Sequence, residues 1–370
     1  MTKQVVFLLI TLFYFGFSFS QTRHTDTNYY YQDSSFIIKS IIEYEIIDGD
    51  TLKNGPAVFY YVSGNVLKKG NYKNDYAQGK WLSFYVDGTL KTSGNFVNDT
   101  LNGEVFLYHP NGQVSEARMY KKNLMHGVTT GYFPDGSVNY RINYVDSMQS
   151  GLYEKYYSSG QLKEKTSIED QHFYGDYQSF YENGQIKKEY TYSNYDINGP
   201  YLVYYDDGNL MIKTNYQKGQ AHGLYQVFHP NGGLYESGQM KLGLRNGVWL
   251  TYFDDSTKYM EGRYVNGLPE GLWKVYHDNG VLKQEGIYKK GISEGKWKYY
   301  YNNGQIQKRG LYKNNKEHGL WVHYYKSGVV KLELYYNMGK LEGLCSAYNE
   351  EGKMVEQVKY LDGVVIEKLK

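Results

Sequence analysis

The stretch GLWKVYHDNGVLKQEGIYKKGISE, residues 271–294, opens on glycine and carries glycine again at its tenth, sixteenth and twenty-first positions. Shifted by 24 residues it falls on GKWKYYYNNGQIQKRGLYKNNKEH, residues 295–318, with the first three glycines on glycine, the fourth on Asn315, and tryptophan on tryptophan. The same phase runs from Gly55 to Gly343, thirteen units without insertion or deletion. A fixed period of this length marks a repeat architecture, in which each unit leans on its neighbours. Positions below are numbered 1–24 from the first glycine of each unit.

Position 10 is glycine in twelve units and Ser256 in the other. Position 9 is Asn, Asp or Ser in all units but the last, which has Glu351. Such pairs between apolar runs predict a β-hairpin with a two-residue primed turn, which needs positive φ. Position 21 is Gly, Asn or Asp in ten units and supplies a second turn. Position 6 is Tyr or Phe in all thirteen, position 12 is apolar except for Lys258, and position 18 is aromatic except for Ile168 and Met240. No segment of the repeats has a helical apolar period. The expected fold is therefore all-β, an elongated single-layer antiparallel meander of about thirteen 24-residue hairpins with aromatic ladders at positions 6 and 18. Twenty-six strands at about 4.8 Å each would give a ribbon on the order of 120 Å long.

The tryptophans test the register. All five (Trp81, Trp249, Trp273, Trp297 and Trp321) stand at position 3. A two-residue turn at positions 9 and 10 sets position 3 opposite position 16. The partners of the first four are then Gly94, Gly262, Gly286 and Gly310, and Trp321 faces Leu334. A ring folded over a cross-strand glycine covers bare backbone, so each tryptophan is expected to shield the glycine of its own unit.

The unit G-x-W-x-x-Y-Y-x-x-G-x-L-x-x-x-G-x-Y, as in Gly271 to Tyr288, resembles the MORN repeat variant, found in bacterial proteins commonly labelled YwqK-type antitoxin components. The resemblance covers residues 55 to about 366. It implies a hairpin array serving as a scaffold or partner-binding surface, with no catalytic residues to carry over.

Lys plus Arg is 41 and Asp plus Glu 39, so no strong field draws nucleic acid. The single cysteine, Cys345, excludes an intrachain disulfide. The N-terminus MTKQVVFLLITLFYFGFSFSQ has a charged start, a short apolar run and a small-x-small site before Gln21. It reads as a secretory signal peptide over residues 1–20, too short to span a bilayer. Residues 21–54 read as a linker followed by possible capping strands, in which Phe36 and Ile42 keep the spacing of positions 6 and 12. The array is expected over 55–366 and a tail over 367–370.

Candidate chemistry is sparse. His126, His222 and His318 share position 24 but lie four units apart, so they cannot share one metal ion. His109, His229 and His277 replace the aromatic of position 7. No nucleophile elbow, zincin helix or phosphate loop occurs. These features point to a non-enzymatic chain with no catalytic, cofactor or metal residues. The aromatics are the surface candidates: Trp249, Trp273, Trp297 and Trp321 in a row, with Tyr301 and Tyr325. Trp and Tyr dominate binding hot spots. The expected function is an exported protein-binding scaffold. A glycan-binding surface protein using the aromatic track is the alternative, and a toxin-neutralising component the second.

Overall fold

The computed structural model describes residues 23–32 and 35–370, without the side chains of 31, 32, 35 and 36. The expected signal peptide and the ring of Phe36 lie outside the described residues. Among the described residues there are 32 strands and no helix. The chain divides into two compact units, one of residues up to 138 with 143–148, the other of 139–142 with 149–370. Each is an antiparallel meander of strands paired with their neighbours along the chain, and one-residue breaks at His126, His222 and Glu342 split three of the strands into two pieces that pair with the same neighbour. The period gives two strands per repeat, as in Leu268–Tyr276 and Leu282–Lys289.

The two-residue primed turn expected at positions 9 and 10 is found instead at the second turn, positions 20 and 21. Val265 pairs with Leu268, and the residues between, Asn266 and Gly267, both have positive φ (49° and 81°). That double requirement selects Asn, Asp and Gly. At the other tip the loop has three residues. The Gly280 amide donates to the His277 carbonyl at 3.0 Å and the His277 amide to the Val281 carbonyl at 2.8 Å, with Gly280 at φ 78°. The strand then skips one residue, because Val275 pairs with Gln284 and Tyr276 with Leu282, leaving Lys283 unopposed. The longer loop and the bulge offset each other, so position 3 still faces position 16, as expected: Trp273 pairs with Gly286 and Trp321 with Leu334.

Ser256 holds the left-handed conformation of position 10 (φ 69°) without being glycine. A side chain there costs about 1–2 kcal/mol. Ser256→Gly is expected to raise stability by about 1 kcal/mol in urea unfolding at an unchanged m-value. No gain would show that the loop relaxes around serine.

A third irregularity lies between units. Glu261 pairs with Lys274 and Arg263 with Glu270, so Gly262 alone faces Gly271, Leu272 and Trp273. The extra length on the second strand is taken up at Gly271 (φ 78°), the first glycine of its unit. All thirteen unit glycines have positive φ. The bulge frees position 3 from a flat pairing with the strand before it.

The N-terminal segment departs from the expectation of a loose linker. Arg23–Gln32 is a strand, paired antiparallel with Ser35–Ile47, which in turn pairs with Asp50–Tyr60. Ile42 is buried with Ala57 and Trp81 in a small apolar cluster.

Candidate interaction surface

The bulge decides what the tryptophans do. A Cβ built at Gly70, Gly238, Gly262, Gly286 or Gly310 would collide with the indole of Trp81, Trp249, Trp273, Trp297 or Trp321 respectively. Each ring therefore lies over the position 16 glycine of the preceding unit, not of its own. This corrects the expected shielding, and it removes the exception at Trp321, whose cover is Gly310. Five tryptophans match five glycines.

The rings are consequently buried. Trp249 and Trp321 are 1 % and 0 % exposed, Trp297 4 % and Trp273 8 %. The tyrosines of position 18 interleave with them. Trp249, Tyr264, Trp273, Tyr288, Trp297, Tyr312 and Trp321 follow one another edge-to-face, with centroids 5.0–6.0 Å apart. That is the arrangement the ring quadrupoles favour. The row expected to be an exposed track is packed inside its unit.

Where the sequence lacks tryptophan the row continues by other means. Tyr177 and Tyr190 stack at 4.6 Å and 14°, and Tyr190 and Tyr201 at 5.2 Å and 16°. Tyr190 occupies position 16, which holds glycine in six units, and its partners are tyrosine instead of the larger indole. Burial raises the hydroxyl pKa of Tyr177 and Tyr190 far above the ordinary tyrosine range.

Tyr301 and Tyr325 do not stand free either. Each hydroxyl donates to the position 6 carbonyl of the next unit: Tyr301 Oη to Tyr324 O and Tyr325 Oη to Tyr348 O, both at 2.8 Å. Tyr61, Tyr157, Tyr181 and Tyr205 make the same bond. His109, His229 and His277 present Nε2 to the equivalent carbonyl at 3.0–3.3 Å, as a donor in place of the hydroxyl. Position 7 is thus a tie between neighbouring hairpin tips. This accounts for histidine there better than size alone.

Position 6 makes a second tie. The hydroxyls of Tyr204, Tyr276 and Tyr300 donate to Glu189, Glu261 and Glu285 of the preceding unit at 2.6, 2.8 and 2.9 Å. Burial, reinforced by the carboxylate, pushes all three hydroxyls up to about 12. A raised folded-state pKa means that the fold favours the protonated phenol. That stabilisation is complete below pH ~10, the pKa of a free tyrosine, and is lost as pH rises from there toward 12. Stability is expected to fall over this interval in alkaline denaturation. The fall should be shallower for Tyr276→Phe/Tyr300→Phe. An identical slope in the double variant would contradict the linkage.

The exposed surface lies at positions that the sequence reading passed over. Leu272, Ile287, Leu311, Leu320, Tyr335 and Leu344, all at positions 2 or 17, are between 37 % and 52 % exposed. They are cross-strand neighbours or flank them: Leu272 pairs with Ile287, Leu320 with Tyr335, and Leu311 with Lys296. Lys296, Lys359 and Arg263 interrupt the row. The signal was present in the strands themselves. Leu-Trp and Leu-Tyr pairs, as at 272–273, 320–321 and 224–225, put apolar residues on both faces. A sheet with one solvated face should alternate apolar with polar.

A cleft of about 480 Å³ in the tyrosine zone is lined by Leu152, Lys165, Asp176, Glu189, Thr191 and Leu202 among others. Several of its polar groups are engaged across strands, as with Thr191 Oγ1 to Asp176 at 2.9 Å and Gln178 Nε2 to Glu189 at 3.2 Å, whereas the buried Thr166 Oγ1 has no hydrogen-bond partner.

The chain matches the MORN repeat variant at ten 22-residue segments: 53–74, 101–122, 125–146, 149–170, 173–194, 197–218, 221–242, 269–290, 293–314 and 317–338. Three stretches in the same phase fall outside these matches. The one around 245–266 contains Ser256 and Lys258, and that ending the array contains Cys345. Both keep the hairpin. No curated protein matches the chain. Among solved structures, the crystal structures of TcdB2-TccC3-Cdc42 and of TcdB2-TccC3 align with 94 % of this chain at 12 % identity and a TM-score of 0.17. The chain spans 22 % and 23 % of the length of those chains.

Proposed function

The chain belongs to the MORN repeat variant family, and from that premise we propose that it is a non-enzymatic scaffold that binds a protein partner through the apolar row of positions 2 and 17. One observation carries the proposal. The tryptophans of position 3 and the tyrosines of position 18 are taken up by packing, whereas Leu272, Ile287, Leu311, Leu320, Tyr335 and Leu344 stay exposed in neighbouring strands. An apolar patch rimmed by charge on a folded surface marks an interaction site. The buried indole faces leave the glycan reading without its stacking platform. A toxin-neutralising role has only the family resemblance behind it.

The test is a binding comparison. Leu272→Lys/Leu311→Lys/Leu320→Lys places charge on the row without touching the tryptophans. Exposed substitutions away from special features shift stability by about 0.5 kcal/mol or less each. Purified partner, recovered by crosslinking from the envelope of the producing cell, should bind the triple variant at least tenfold more weakly. Equal binding would overturn the surface assignment. Retention on insoluble polysaccharide, with no protein partner, would favour the glycan reading. Export belongs to the same proposal and rests on residues 1–20. N-terminal sequencing of secreted material should start at Gln21, and an intact Met1 on intracellular protein would refute it.

A further inference from the structure

Six units carry glycine at position 16, and five of these glycines lie under the tryptophan of the next unit. Gly94 is the sixth. The following unit offers Val105 where the others offer tryptophan. A Cβ at Gly94 would stand 3.1 Å from Leu101 Cδ1 and 3.3 Å from Val105 Cγ2, instead of colliding with an indole. The pairing also differs, because Gly94 and Val105 are directly opposed and the bulge moves to the next residue. Leu101 and Val105 stand over Gly94 in place of the ring but fill less room than an indole. A cleft of about 410 Å³ includes Gly94 and is walled by Trp81, Phe96, Leu101, Val105 and Leu107.

We propose that this cleft receives an indole-sized aromatic side chain presented by a protein partner, and this rests on the protein-scaffold reading. Three features support that occupant. The equivalent glycine at the other five junctions takes an indole, whereas at Gly94 only the smaller Leu101 and Val105 side chains occupy that place. The walls include Trp81 and Phe96, edge-to-face at 6.4 Å, which extend the aromatic packing to a further ring. The rim carries cations that an aromatic face attracts and an aliphatic group does not. Lys68 lies 4.5 Å from the Phe59 ring and 5.7 Å from the Trp81 ring, and Arg118 is held in place by Glu116.

The test needs no identified partner, so its failure is distinct from a failure to find one. N-acetyl-tryptophanamide, N-acetyl-leucinamide and indole are titrated separately into the full chain, followed by the methyl resonances of Leu101, Val105 and Leu107. Saturable shifts with the capped tryptophan are expected, with binding at least tenfold tighter than the capped leucine. Val105→Trp should fill the cleft, raise the melting temperature and weaken that binding more than tenfold. Gly94→Val, which narrows the floor, is the second variant should the first fold poorly. No saturable shift in the wild-type chain would overturn the proposal, as would equal binding of the leucine probe or unchanged binding in a folded variant. Binding of indole without binding of the capped tryptophan would overturn the side-chain source.

Discussion

Gly286→Val is expected to expel Trp297 from its place and to cost about 3–5 kcal/mol, the range for losing a large aromatic from a core. The added carbons would occupy the space of the indole, which has nowhere else in the row to go: it touches Tyr288 at 5.2 Å and Tyr312 at 5.5 Å. Solvent denaturation measures the loss. Gly94→Ala is the internal comparison. It meets only Leu101 and Val105, at 3.1 and 3.3 Å, and should cost well under half as much. Coupling identifies the cause. Once Trp297→Ala has removed the ring, Gly286→Val should add little further cost, because residues in contact are not additive. If Gly310→Val disturbed Trp297 more than Gly286→Val does, each ring would be shielding its own unit and the packing described above would fail.

The second large effect separates packing from recognition at the tryptophans. Replacing Trp273 and Trp297 together by leucine removes four edge-to-face contacts with Tyr264, Tyr288 and Tyr312. At about 0.5–1.5 kcal/mol each, these sum to about 2–6 kcal/mol before any loss of buried area. Melting followed by circular dichroism should report that loss. Partner affinity, measured where the variant is folded, should stay within about threefold, because rings 4–8 % exposed offer little to a partner. A drop beyond tenfold with an unchanged melting point would restore the aromatic row as the recognition surface.

The period, the hairpins, the turn positions and the pairing of position 3 with position 16 were all legible in the sequence of this chain. Glycine and Asn or Asp at fixed positions are backbone requirements, and a requirement repeated thirteen times in phase is hard to misplace. Turn type was less legible. Asn-Gly suits both a primed turn and the end of a three-residue loop, and a compensating bulge at residues such as Lys283 hides the difference from any register count. The tertiary structure alone decided which glycine each tryptophan covers. Every position 3 lies between two position 16 residues, one on each neighbouring strand, both about 4.8 Å away. Sequence correlation separates the two by a single case, Trp321, which has Gly310 in the preceding unit and Leu334 in its own. The bulge at the unit glycine opens one junction and leaves the other flat, so the indole folds back over the preceding unit. That same choice buries the tryptophans, leaves positions 2 and 17 to the solvent, and makes Gly94 the one glycine of its kind without a ring.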